Sequence, residues 1–285
     1  MDYSLYLFNG ISYGMLLFTL ASGLTLILGV MKTLNLAHGT FFLLGFYTAQ
    51  WVIRLTNNFF LGAVAGAFAA GIIGMAVQRF LLSRVPADPS PQTLLTVGII
   101  YVFQDIFLMI SKGRIWMLPK PHFLAGSIPF GDLTFPTYRI ALTAMGCIIF
   151  ALLWLFIRKT KWGAVLRAGA DKPKIAEAVG INIPLVWVMV FGLGIFIAGL
   201  AGVLAGPIWG AFPGGEWDIL VFALIIILLA GMGSLRGAFV MSLVVGMITN
   251  VGNALFPEMA MFLLFALVVI VMLVRPRGIF GGIKY

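Results

Sequence analysis

Long apolar runs alternate along this chain with short breaks rich in charge, proline, glycine or asparagine. The runs fall at residues 7–30, 36–53, 59–82, 93–110, 138–157, 185–207, 219–231, 238–255 and 259–274. A helix needs roughly 20 predominantly apolar residues to cross a hydrocarbon core about 30 Å thick, and most of these runs meet that length. The pattern predicts an all-α polytopic membrane protein with about nine transmembrane helices, within a range of eight to ten. The second and seventh runs are short and interrupted by glycine, which marks them as candidates for broken or re-entrant helices.

Composition agrees with the pattern. Of 285 residues, 62% are hydrophobic and 9% charged, against roughly 25% charged in soluble domains. Little is left for a separate soluble domain, so residues 1–285 are read as one transmembrane domain. The net charge of +9 lies almost wholly between apolar runs, where topology signals sit, and implies no nucleic-acid groove. The chain starts without a basic n-region, and no small-residue cleavage site interrupts its first run, which reads as a retained helix. Cys147 has no disulfide partner, and His38 and His122 are the only histidines, too few for a metal cluster.

Charge also gives an orientation. The longest basic connection holds Arg158, Lys159, Lys161, Arg167, Lys172 and Lys174, which assigns it to the cytoplasm. Propagation along nine spans places Lys32, Arg79, Arg84, Arg236, Arg275, Arg277 and Lys284 on the same side. Thirteen basic residues are then inside and five (Arg54, Lys112, Arg114, Lys120, Arg139) outside. The N-terminus is expected outside and the C-terminus in the cytoplasm, with Glu216, Asp218 and Glu258 outside. The external connection 111–137 carries Pro119, Pro121, Gly126, Pro129, Gly131 and Pro136, which predicts an irregular or hairpin-like cap and a candidate docking surface for an external partner.

Small residues recur every fourth position at Gly62, Gly66, Ala70 and Gly74, and again at Gly194, Ala198, Gly202 and Gly206. Such stripes let helix backbones approach where lipid offers no hydrophobic drive for association. An internal repeat is also legible: residues 26–30 lead to a break at 35–39, and residues 225–230 lead to a break at 231–237. Paired interrupted segments point to a transporter's central pathway.

Few polar side chains lie at membrane depth. Asp105, beside Gln104, falls mid-helix with Tyr101 on its face; a carboxylate there costs about 2.5–3.5 kcal/mol and is expected to face a cavity or a partner. Asn35 and His38 sit three residues apart at the start of the second run, on one helical face, with Gly39 permitting close backbone approach. Within the cytoplasmic connection, 162–170 and 174–179 read as two short helices, the second with Asp171 as N-cap, Pro173 in its first turn and Gly180 at its end. No phosphate-binding Gly-x-x-x-x-Gly-Lys-Ser/Thr loop occurs, nor a Gly-x-Ser-x-Gly or His-Glu-x-x-His motif, so an enzyme is not expected.

These residues resemble the permeases of branched-chain amino acid ABC transporters. The stretch GVMKTLNLAHGTFFLLGFY at 29–47 is similar to the sequence that opens that family. Further marks are Thr96-Val97-Gly98 with Gln104; Arg167-Ala168 through Ala176-Glu177-Ala178-Val179-Gly180-Ile181-Asn182; residues 198–204; Gly231-Met232-Gly233-Ser234-Leu235-Arg236-Gly237; and residues 275–281. The resemblance, to the smaller of the two permease subunits, covers essentially the whole chain. It implies the ABC importer permease fold in a bacterial inner membrane and pairing with a second permease subunit. It also implies two cytoplasmic ATPase subunits, which use the ATP, and an external solute-binding protein; this chain would bind no cofactor. By that resemblance, Arg167, Ala176, Glu177 and Gly180, within 158–185, look like the coupling segment. Asn35, His38, Gly39, Gln104, Asp105, Gly231 and Gly233 would lie along the substrate path. One departure is Thr40, where many relatives carry an acidic residue; the family also serves urea, amides and organic acids. An ion-coupled secondary transporter, with Asp105 as coupling site, and a passive channel are the alternatives from other classes.

Overall fold

A computed structural model describes residues 3–86, 89–130 and 133–281. In chain order the helices are α1 (Tyr3–Met31), α2 (His38–Thr56), α3 (Phe59–Phe80), α4 (Pro89–Ser111), α5 (Thr137–Lys159), α6 (Lys161–Asp171), α7 (Pro173–Ala178), α8 (Ile183–Trp209), α9 (Gly215–Ala230), α10 (Leu235–Leu255) and α11 (Ala260–Val274). Each apolar run becomes one long helix. A hairpin of β1 (Ser127–Phe130) and β2 (Leu133–Pro136) forms the cap expected between α4 and α5. Gly131 and Lys284 lie outside the described residues.

Side-chain caps start the helices where the apolar runs begin. Asn58 accepts from the backbone N–H groups of Phe60 and Leu61, Asn182 from Leu185 and Ser234 from Gly237. Each satisfies amides that the first turn leaves without partners, which matters most where no water can reach them.

Seven helical stretches among the described residues are long and apolar enough to cross a membrane. The two long helices outside that set are α2 and α9, the pair that the sequence marks as short and interrupted. The protein is a multi-pass membrane protein, and its two exceptional helices pack in its middle.

At the centre, α1 and α8 cross where Gly23 and Gly194 meet backbone to backbone, and α1 crosses α10 where Gly14 meets Gly246. The two small-residue stripes do not pack against each other. Gly62 faces Ile53 of α2, Gly66 faces Gly45 of α2 and Val203 of α8, and Gly74 faces Ile195. On α8, Gly194 faces α1, Gly202 the Phe42 carbonyl of α2, and Gly206 the Leu118 side chain beyond α4. Around this centre α4, α5 and α11 pack loosely.

Helices α1, α5, α9 and α11 finish at a common face. Leu153, Trp154, Ile157 to Lys159, Arg167, Gly233 to Arg236, Phe280 and Gly281 surround one cavity there with Thr25 and Leu26. The amides of Ile279 and Phe280 donate to Leu229 and Ala230 at the end of α9. This is the basic face.

Candidate functional site

Helix α2 does not begin at the basic face. After Met31 the chain unwinds: Lys32 adopts φ 57°, the Leu36 amide donates to Thr96 Oγ1 of α4 at 3.2 Å, and helix resumes only at His38. The His38 ring Nε2 sits 2.9 Å from the Leu20 carbonyl of α1, and its Cε1 lies beside Gly23. Leu20 and Gly194 are each about 16 Å from the basic end of their own helix, at 1.5 Å rise per residue. The N-terminus of α2 therefore lies at mid-depth.

A second break meets the first. After Trp209 the chain turns through Gly210 (φ 68°) and Gly214 (φ 96°), left-handed conformations that a Cβ would strain. The break is anchored by reciprocal backbone bonds between Trp116 and Ala211, at 2.9 and 2.8 Å. Trp116 in turn stacks edge-on to Tyr47, and Arg54 lies over its ring at 4.3 Å. Helix α9 starts at Gly215, and a Cβ on Gly39 would overlap the Glu216 carbonyl. The positive ends of two helix dipoles thus converge.

Unpaired polar atoms gather where the helices meet. Asn35, His38, Thr40 and Glu216 are all buried, and Asn35 Nδ2, His38 Nδ1, Thr40 Oγ1 and Glu216 Oε1 have no hydrogen-bond partner among the described residues. Glu216 Oε2 accepts from the Gly214 amide at 2.9 Å, which ties its carboxylate to the helix terminus. Gln104 joins from α4: its Nε2 lies beside Gly214, and its Oε1 is likewise unpartnered. Leaving such groups unpaired costs about 1–3 kcal/mol each in a static packed state. The junction is a polar seam inside an apolar bundle.

The structure brings together Asn35, His38, Gly39 and Gln104. It corrects one detail of the first pair: Asn35 precedes the helix and does not share a helical face with His38; its Oδ1 instead accepts from the Ala37 amide at 3.1 Å. Asp105 points the other way and is exposed with Tyr101 on the outer side of α4. Gly231 and Gly233 lie at the basic face, about 20 Å along α9 from Glu216. There Gly231 abuts the Arg277 and Gly281 backbone. The break that opposes α2 is therefore 210–215, not 231–237. Glu216, expected in an external loop, is buried in the seam. The signal for it was present in Pro213-Gly214-Gly215, a turn followed by acidic residues in a first helical turn.

The loop between α5 and α8 folds as two helices. Thr160, which caps Gly163 at 2.9 Å, starts α6, and α7 begins with Pro173 at N1. Its cap position is Lys172, without a side-chain bond, and not Asp171, which closes α6. The amide of Ile181 donates to Ala176 and that of Gly180 to Glu177, a Schellman ending that needs the left-handed φ of 90° at Gly180. Ala176 is buried at the base of α7, whereas Ile175 and Val179 are 58% and 73% exposed. Glu177 is exposed, and Arg167 turns back to donate to the Ile157 carbonyl. Beside it lies the basic-face cavity of about 560 Å³, whose lining includes Arg158, Lys159, Arg167 and Arg236.

Comparison with known families matches residues 6–272 to one described as branched-chain amino acid transport system / permease component. The chain belongs to this permease family. It is 27% identical to the high-affinity branched-chain amino acid transport system permease protein LivH of Salmonella typhimurium, over 96% of this chain and 94% of that one. It is also 27% identical to the corresponding protein BraD of Pseudomonas aeruginosa, with the same coverage of both. A more distant likeness, 23% identity over 67% of this chain and 58% of the other, connects it to the ribose import permease protein RbsC of Haemophilus influenzae. No solved structure matches. A permease of this family is a transport component and not a catalytic enzyme, and works with the other subunits of an ABC transporter.

Proposed function

We propose that this permease forms the translocation path for branched-chain amino acids in a binding-protein-dependent ABC importer. The observation that carries the reading is the convergence of two interrupted helices on a buried polar seam at mid-depth, in a chain that matches LivH and BraD along almost its whole length. Discontinuous helices at the bilayer midplane are the means by which many transporters place polar groups where lipid would forbid them.

The basic face is cytoplasmic in this reading, which sets the N-terminus outside and the C-terminus inside the plasma membrane of a bacterium. Residues 158–185 reach the ATPase subunits: α7 projects Ile175 and Val179, an i, i+4 apolar pair, for a cleft on the partner, while Ala176 and Gly180 hold the helix in place. ATP is bound and hydrolysed by those partners. A second permease, most simply a related chain, covers the exposed Asp105 and Tyr101 face of α4, because a carboxylate in a span is costly against lipid. The hairpin cap between α4 and α5 faces the external solute-binding protein.

Proteoliposomes holding the whole complex test the proposal. Uptake of L-leucine is expected to require ATP on the side of α7 and to persist when ion gradients are collapsed. Uptake driven by a proton or sodium gradient without ATP would overturn it.

A further inference from the structure

Beside the second helix break lies a cavity of about 390 Å³ bounded by α1, α2, α8 and α9. Its size falls within the roughly 300–1,000 Å³ typical of small-molecule sites. Three rings build one wall as a mutually supporting set. Tyr13 meets Trp209 edge-on at 5.3 Å and Phe222 edge-on at 6.4 Å, and Trp209 stacks on Phe222 at 6.4 Å. Leu43 and Phe212 extend the apolar lining, and among the described residues the only charged one in it is Asp218.

Asp218 lies in the first turn of α9 and is exposed. A carboxylate within a span does not face lipid at low cost, so Asp218 calls for a cation, water or a partner group at the rim of the cavity, beside the polar seam. The lining residues therefore combine one carboxylate with an apolar aromatic wall, in which Tyr13 and Trp209 each carry one neutral donor.

We propose that this cavity is a solute-binding subsite within the permease itself, for a zwitterion with an apolar side chain. Asp218 receives the ammonium group, Tyr13 and Trp209 donate to the carboxylate, and the branched side chain fills the space between Leu43, Phe212 and Phe222. The lining discriminates against other classes by what it lacks. A sugar would bury several hydroxyls against hydrocarbon without partners, and an organic acid lacking the amine would meet Asp218 with like charge. Selection in the importer is then made twice, once by the external protein and once here. The inference rests on the amino-acid reading of the proposed function and adds the residues that carry it.

The complete importer in proteoliposomes provides the test, with L-leucine and L-alanine supplied together and the same wild-type binding protein throughout. Asp218→Asn is expected to lower leucine uptake at least tenfold while the assembled complex and its basal ATPase rate persist, and Asp218→Glu to restore part of it. Phe222→Ala is expected to lower the ratio of leucine to alanine uptake severalfold, a change that loss of protein does not produce. Wild-type uptake and ratio in both variants would overturn the subsite and leave the amino-acid importer standing. Loss of uptake in proportion to loss of assembled complex, with an unchanged ratio, would likewise overturn it as a structural effect. A wild-type complex that carries ribose and no amino acid would remove both readings.

Discussion

Helices α1 and α4 are equally apolar, yet they live in different surroundings. Within its most apolar window α1 is 94% buried inside the protein, and α8 is 72% buried, while α4, α5 and α11 reach only 22%, 22% and 17%. The difference lies in their glycines. On α1 and α8 the glycines sit at backbone crossings, where Gly23 meets Gly194 and Gly202 meets the Phe42 carbonyl. On α4, Gly98 has nothing within 4 Å of a Cβ position. In a bilayer, where hydrocarbon surrounds every span, close backbone approach is what separates a central helix from a peripheral one.

Breaking the centre tests this most severely. Gly202→Leu drives a branched side chain into the α2 backbone, and overpacking of this kind costs about 1–3 kcal/mol or more. The expected outcome is little folded complex by size-exclusion chromatography in detergent.

A smaller, selective effect is expected at the projecting helix. Gly180→Val has open space around it but must adopt a left-handed φ, at a cost of roughly 1–2 kcal/mol. Membrane insertion is expected to be retained while ATP-driven uptake falls; full uptake in that variant would refute the coupling role of α7.

On the loosely packed side, Asp105→Asn probes what covers α4. Uptake is expected to fall more than protein level, and equal loss of both would mark the carboxylate as structural. The mildest expectation is Gly98→Ala, which fills open space and raises helix propensity by up to about 1 kcal/mol. Thermal denaturation of this permease alone is expected to shift little or slightly upward, and a loss seen only in the assembled complex would show that the second permease packs close to Gly98 on the face it covers.

Much of this architecture is legible in the sequence. The nine apolar runs match the nine long helices among the described residues, and the shortness of the second and seventh runs marks α2 and α9 as the exceptional ones. Asn35, His38 and Gln104 stand out in the sequence because polar groups in apolar runs are costly, but the same reasoning singles out Asp105, which the structure turns to the outer side of α4. The burial of Glu216 was not legible, since charge counting alone assigns any acid near a run's end to the adjacent loop. The apolar pair of α7 was hidden for the opposite reason: Ile175 and Val179 look like ordinary helix residues until Ala176 is seen to take the buried side.

By itself the sequence determined that the chain resides in a bilayer, which segments are helical, and which family it belongs to. All three follow from hydrophobic run length and local motifs, and none needs knowledge of what touches what. Only the tertiary structure decided that the partner of the α2 break is 210–215 and not 231–237, and that Glu216 closes the seam. A backbone that unwinds at mid-depth has no distinctive composition. It is stable only because another helix end, equally interrupted, arrives from a remote part of the chain to share the burial.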